Sequence, residues 1–255
     1  MSSNRVKSKR IEWEPRDFEL QTNSIWSFPE RGSWATHDSK WRGNWSPYIP
    51  RNLILRYSNE GELILDQFAG GGTTAVEAKL LNRNIICADV NDAAIARCRE
   101  KTSFLCENSN GNVFIKKADA RDLDFISDGK VDLICTHPPY SNIIKYSENI
   151  SSDLSRLDMP NFLFEMEKVA KECFRVLKSG KYCAILMGDT RKKGHIVPLG
   201  FHVMKIFEKA GFTLKEIIIK QQHNCKATGY WKTNSIKYNF LLIAHEYLFV
   251  FKKPV

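Results

Sequence analysis

Apolar positions along the chain follow two alternating rhythms. Short continuous apolar runs predict buried strands near 63 to 67, 85 to 89, 113 to 118, 131 to 136 and 182 to 187. Between them, apolar residues recur at three-to-four spacing and predict helices near 73 to 82, 92 to 106, 142 to 150, 161 to 178 and 196 to 210. Over 161 to 178, Phe162, Met166, Val169, Cys173 and Leu177 share one face, Glu165, Glu167, Lys168 and Lys171 lie between them, and Lys178-Ser179-Gly180 stops the helix. Leu53, Ile54 and Tyr57 predict a further helix before the first of these strands. Strands separated by helices pair in parallel, so this is an α/β chain built on one sheet. Two last runs, Thr213 to Ile219 and Glu246 to Phe251, have no helical pattern between them and predict an antiparallel pair at the sheet edge.

Two strand ends carry the chemistry. The run Leu63-Ile64-Leu65-Asp66-Gln67 passes into Phe68-Ala69-Gly70-Gly71-Gly72-Thr73-Thr74. Three glycines permit positive φ and leave no Cβ, so backbone can lie against a ligand before a helix opens. Asp89 ends the next strand about 20 positions on, where nucleotide-binding βαβ units place an acceptor for ribose hydroxyls. The unit suits an adenosine-containing cofactor. The strand Val131-Asp132-Leu133-Ile134-Cys135-Thr136 stops at His137-Pro138-Pro139-Tyr140. Two prolines fix φ and remove two donors, which leaves rigid, unpaired carbonyls beside an aromatic ring. A flat base bearing an amino group fits such a turn.

In that order, D-x-F-x-G-x-G-T-T and x-P-P-Y resemble the DNA amino-methyltransferases, which methylate adenine N6 or cytosine N4 with S-adenosylmethionine. The resemblance covers about residues 40 to 255. It implies a Rossmann-like class I methyltransferase fold: a seven-stranded, mostly parallel sheet with the last strand antiparallel and helices on both faces. It also implies that Asp66, Phe68, Ala69, Gly70, Gly72, Thr73, Thr74, Val90 and Ala120 hold the cofactor, with Asp89 at the ribose and Asp119 at the adenine amino group. The alternative reading of Asp119 is a helix N-cap. His137, Pro138, Pro139 and Tyr140 then form the catalytic turn, Tyr140 stacking on a flipped base. The family usually has Asp, Asn or Ser where this chain has His137; a neutral imidazole can accept a hydrogen bond from the amine, whereas imidazolium cannot. Thr136 is reminiscent of cytosine-N4 members, His137 fits neither group, and the target base stays open. RNA amino groups and a binding module without turnover are the competing readings.

The 255 residues, 43% hydrophobic, suffice for one sizeable core. There is no run of 18 apolar residues and Met1 to Arg16 is polar and basic, so a soluble, cytoplasmic protein without membrane association is expected. Seven cysteines without C-x-x-C spacing read as buried hydrophobes, and no metal is expected. A net charge of +9 favours a polyanion, here double-stranded DNA, with a specificity partner or a homodimer as a further possibility.

Residues 1 to 47 form a basic extension with five of the six tryptophans, which either pack on the methyltransferase domain of 48 to 255 or form a stacking surface. The stretch from His37 to Pro47 resembles the family element that closes over the methionine end of the cofactor. No carboxylate occurs from Ile217 to His245, and the loop at 220 to 240 is expected to face DNA through Lys226, Tyr230, Trp231 and Lys232. Lys192 and Lys193 supply a second basic loop at the same carboxyl edge of the sheet.

Overall fold

The computed structural model describes residues 11–106, 109–224 and 228–255. In chain order the elements are β1 (Ile25–Trp26), α1 (Tyr48–Tyr57), β2 (Leu63–Asp66), α2 (Thr73–Leu80), β3 (Asn84–Asp89), α3 (Asp92–Thr102), β4 (Val113–Lys117) and β5 (Val131–Thr136). There follow α4 (Met159–Val176), β6 (Leu177–Met187), β7 (Thr190–Lys192), β8 (His195–Val197), α5 (Leu199–Lys209), β9 (Thr213–Gln221), α6 (Thr228–Lys237) and β10 (His245–Lys252). One sheet runs in the order β1-β9-β10-β6-β5-β2-β3-β4. β10 is antiparallel to both its neighbours, and every other pairing in the sheet is parallel.

The period of two along each strand divides the core. Leu65, Ile134, Ile185 and Phe249 face one side, where they meet Phe162, Met166 and Val169 of α4 and Val203 and Phe207 of α5. Their chain neighbours Ile64, Leu133, Ala184 and Leu248 face the other side, against Ile49, Leu53 and Ile54 of α1 and Ala75 and Ala78 of α2. A sheet buried on both faces needs strands apolar on both faces, which is why these read as continuous runs.

Several local expectations are corrected. The final antiparallel pair lies towards the sheet edge as expected, but β1 of the N-terminal extension is added beyond β9 as an eighth strand where seven were expected. No α-helix forms at 142 to 150. Ser141–Ile143 makes a single 3₁₀ turn, and Ser and Asp side chains bind backbone and each other from there to Ser155. Helix α4 stops at Val176, and the Lys178-Ser179-Gly180 stretch lies within β6, where Gly180 at φ +77° donates its N–H to Lys253 O at 2.8 Å. The expected loop at 220 to 240 contains α6, and the basic stretch after β6 is the β7–β8 hairpin.

Of the extension's tryptophans, Trp26, Trp34 and Trp45 are buried and Trp13 and Trp41 are partly buried. Removing the 1% exposed Trp26 ring should cost about 3–5 kcal/mol in a urea titration of Trp26→Ala. Trp231→Ala, at a ring 48% exposed, should cost less than about 0.5 kcal/mol. Equal losses would show that burial of the extension does not stabilise the fold.

Candidate active site

The carboxyl end of β2 is held by one buried carboxylate. Asp66 Oδ1 accepts from the Phe68 N–H at 3.1 Å and from Thr136 Oγ1 at 2.8 Å, and Oδ2 accepts from Thr74 Oγ1 at 2.5 Å. Burial pushes its pKa up to about 6 against the pull of these donors. Asp89 Oδ2 accepts from the Gly70 N–H and Oδ1 from the Asn91 N–H, both at 2.9 Å, and burial raises its pKa too. The glycine turn needs its glycines: Gly70 and Gly72 sit at φ +47° and +80°, and a Cβ on Gly72 would come within 3.1 Å of Cys98 Cα.

These ends floor a cavity of about 790 Å³, counting its open mouth. Asp66, Phe68, Ala69, Gly70, Thr73, Asp89, Val90, Asp119 and Ala120 line it. Gly72 and Thr74 stand behind the wall, shaping the turn and donating to Asp66. Asp119 heads no helix, so it is not an N-cap; its carboxylate accepts from Arg121 Nε at 2.9 Å and Nη2 at 2.6 Å.

Two straps cover the cavity. Trp41 to Trp45 form one, and Tyr146 with Ser152, Asp153 and Leu154 forms the other. They meet where Gly43 lies against the Tyr146 ring. The first strap is anchored by the buried Glu77 of α2: Oε1 accepts from Trp34 Nε1 and meets His37 Nε2, each at 2.7 Å, and Oε2 accepts from Arg51 Nη1 at 3.0 Å. Local sequence missed the second strap because its order comes from side-chain bonds to backbone, not from an apolar period.

A second, wider cavity of about 1750 Å³ including open space adjoins the first. His137, Pro138, Pro139, Tyr140, Gly188, Lys220 and Glu246 are among its walls, and His137, Pro139, Asn44 and Trp45 line both cavities. At this junction His137 stacks on Trp45, with ring centroids 5.5 Å apart, and its Nε2 lies 2.7 Å from Tyr140 Oη. Tyr140 Oη donates to Glu246 Oε1 at 2.9 Å, and Lys220 Nζ donates to Glu246 Oε2 at 2.9 Å. Burial lowers the His137 pKa to about 4 and raises that of Tyr140, so the ring is neutral and the phenol keeps its proton near pH 7. Burial also opposes the Glu246 charge, but the Lys220 ammonium and the hydrogen bond from Tyr140 outweigh it and hold the carboxylate's pKa below its ordinary value. Glu246 and Lys220 carried no signal in the sequence.

Beyond this cavity stand the basic residues. Lys192, Lys193, Tyr230, Trp231 and Lys232 are exposed and line neither cavity, and Lys226 lies outside the described residues. Arg191 joins the two projections, donating through Nη2 to Leu241 O at 2.9 Å while lying 5.3 Å from the Phe240 ring centroid. Among the described residues, no three His, Cys, Asp or Glu side chains gather as a metal site, and no helix is long and apolar enough to cross a membrane.

The strand order, the glycine turn and a nucleoside-sized cavity define a Rossmann-like class I methyltransferase. The chain belongs to the DNA methylase family of N6/N4 amino-methyltransferases, whose family model matches residues 2–100 and 131–255. An RMKL-like methyltransferase domain model matches 53–183. The chain is 30% identical over 173 residues to the type II beta methyltransferase M.BslI of Bacillus sp. (strain NEB-606), a match covering 60% of this chain and 17% of that protein. It is 27% identical to the orphan methyltransferase M.BamHII of Bacillus amyloliquefaciens, over 50% of this chain and 40% of that one. The chain thus spans less than half the length of these two relatives. In fold it is similar to a SAM-dependent methyltransferase of Methanosarcina mazei, with a TM-score of 0.56, 15% identity and coverage of 80% of this chain and 97% of that one. TrmN of Thermus thermophilus gives a TM-score of 0.54 at 19% identity, covering 83% and 50%.

The pH dependence follows from His137. Its folded pKa of about 4 lies below the ordinary 6.5, so the unfolded chain binds this proton more readily. The stability contributed is full above about pH 6.5 and is lost as pH falls towards 4. Wild type should therefore lose more stability than His137→Asn between about pH 7 and pH 4.5 in urea titrations, whereas equal losses would show a freely ionising ring.

Proposed function

We propose that this protein methylates the exocyclic amino group of a base, adenine N6 or cytosine N4, in double-stranded DNA, with the base swung out of the helix. The observation that carries the reading is the junction at His137 and Pro139, where a nucleoside-sized cavity meets a wider one. The cofactor is S-adenosylmethionine, and the first cavity fits it. Its charged lining is Asp66, Asp89, Asp119 and Asp153 against Arg42, with Asp119 paired to Arg121 behind the wall; the remaining excess of carboxylates suits a sulfonium cation, and glycine backbone forms part of the floor. When bound, the cofactor supplies a methyl carbon whose bond to sulfur breaks, the electron pair staying on sulfur, as the bond to the amine nitrogen forms.

The chain's own residues orient and deprotonate the amine. The neutral His137 ring offers a nitrogen lone pair and the Pro138 carbonyl a second acceptor, which together favour the nucleophilic form of the amine. Gly188 backs the Tyr140 ring, where a Cβ would come within 2.6 Å of Cε2, and a base can stack from the second cavity. The β7–β8 hairpin and α6 then meet phosphates and grooves through Lys192, Lys193, Lys232, Tyr230 and Trp231. A second copy or a specificity partner would supply further sequence recognition.

Incubation with labelled cofactor and duplex DNA, RNA or neither, followed by nucleoside mass spectrometry, tests the reading; label in N6-methyladenine or N4-methylcytosine from DNA is expected. Label only in RNA, or none, would overturn it. Gly70→Val should weaken cofactor binding by about 100-fold or more, because its Cβ would stand 3.1 Å from Trp41 Nε1 at φ +47°. Wild-type affinity by calorimetry would remove the glycine turn from the site. Neutralising Lys192 and Lys232 together should lower the slope of log affinity for DNA against log salt by about two. An unchanged slope would put both lysines in solvent.

A further inference from the structure

The chain of contacts from His137 to Lys220 fixes more than the position of a ring. Tyr140 has one hydroxyl proton, and the ionised Glu246 takes it: Oη donates to Oε1 at 2.9 Å. The oxygen facing His137 Nε2 at 2.7 Å therefore offers only lone pairs. A bare Nε2 would set lone pair against lone pair at that distance, so Nε2 carries the hydrogen and donates to Tyr140. The other ring nitrogen, Nδ1, is left as the acceptor. Lys220 Nζ holds the second Glu246 oxygen at 2.9 Å, which keeps the carboxylate charged and unable to turn away. Glu246 and Lys220 face each other across β9 and β10 in register, so the end of the relay rests on the sheet itself.

We propose that Glu246, acting through the Tyr140 hydroxyl, is a positioning residue that holds His137 in the Nε2–H form and so presents Nδ1 to the target amine. The inference rests on the reading of His137 as the acceptor. Once the amine nitrogen has gained its methyl group, the proton it sheds passes to Nδ1. The resulting imidazolium keeps its Nε2–H bond to Tyr140 and, through it, the negative charge of Glu246; the proton then leaves to solvent from Nδ1. Tyr140 thereby has a second task besides stacking: its ring meets the base and its hydroxyl sets the acid–base state of the neighbouring imidazole.

Tyr140→Phe separates the two tasks, since the ring stays on Gly188 and Glu246 stays paired with Lys220. In cofactor-free protein labelled with ¹⁵N-histidine, two-bond correlation spectra, assigned to His137 by comparison with His137→Asn, read the tautomer directly. We expect a slowly exchanging, hydrogen-bonded Nε2–H in the wild type and its loss in Tyr140→Phe. Single-turnover methyl transfer in Tyr140→Phe should fall about 10- to 100-fold, up to the lower end of what positioned proton transfer contributes because His137 itself is retained, while cofactor affinity holds. Glu246→Gln, which keeps a neutral acceptor at the same place, should retain part of the rate. A wild-type ring protonated on Nδ1, or a Nε2–H signal unchanged in Tyr140→Phe, overturns the relay. Loss of that signal with an undiminished transfer rate overturns instead the role of His137 as acceptor, and the proposal with it.

Discussion

The Asp66 carboxylate is the interaction on which the rest of the site depends. It is buried where two neighbouring strands end, and its three donors come from the glycine turn, the start of α2 and the last residue of β5. A charge so placed is unfavourable by itself, as the raised pKa of about 6 shows, and removing any one donor leaves it worse compensated. Thr136 is the residue before His137, so one side chain ties the glycine turn to the Pro-Pro-Tyr turn. The two motifs lie 70 residues apart between Asp66 and Thr136, yet they are in register to within one hydrogen bond.

Glu77 does for the covering strap what Asp66 does for the floor. Fully buried in α2, it meets Trp34, His37 and Arg51, and Arg51 also pairs with Glu14. An unpaired carboxylate there would be costly, so the extension must bring its donors to the same place whenever the protein folds. Once Trp34 and His37 are fixed, the next residues have little freedom: Trp41 and Asn44 reach the glycine turn, where a Cβ on Gly71 would clash with both. Trp45 then stacks on His137. The tryptophan density of the leader thus has a packing cause, and its polar partners are what aim it.

How much of this was legible follows from the range of each interaction. The strands, the glycine turn and the Pro-Pro-Tyr turn are written in contiguous residues, and their alternation alone separates the two core faces. The strap at 146 to 154 is not, because its order comes from side chains bonding to backbone without an apolar period, Asp153 and Ser155 within the strap's own turn and Asn91 from 55 residues away. α6 was read as loop because it has no apolar stripe to bury; Tyr230, Trp231 and Ile236 remain exposed on it. Glu246 is the sharpest case. Beside Tyr247, Leu248 and Phe249 it reads as a polar residue at a strand start, and nothing nearby reveals that antiparallel register sets it opposite Lys220 and under Tyr140.

Charge then distinguishes the two cavities. The inner one is lined by four carboxylates and one arginine, the outer one by Arg31 and Lys220 against Asp189 and Glu246, and Lys192, Lys193 and Lys232 stand exposed beyond both. A cation is favoured in the inner cavity and an anion at the surface beyond both. On the proposed reading the boundary between them must favour neither, since an uncharged amine would approach there. The structure meets that condition by cancellation: Lys220 neutralises Glu246, burial keeps His137 neutral, and the groups nearest the junction offer lone pairs and ring faces in place of net charge.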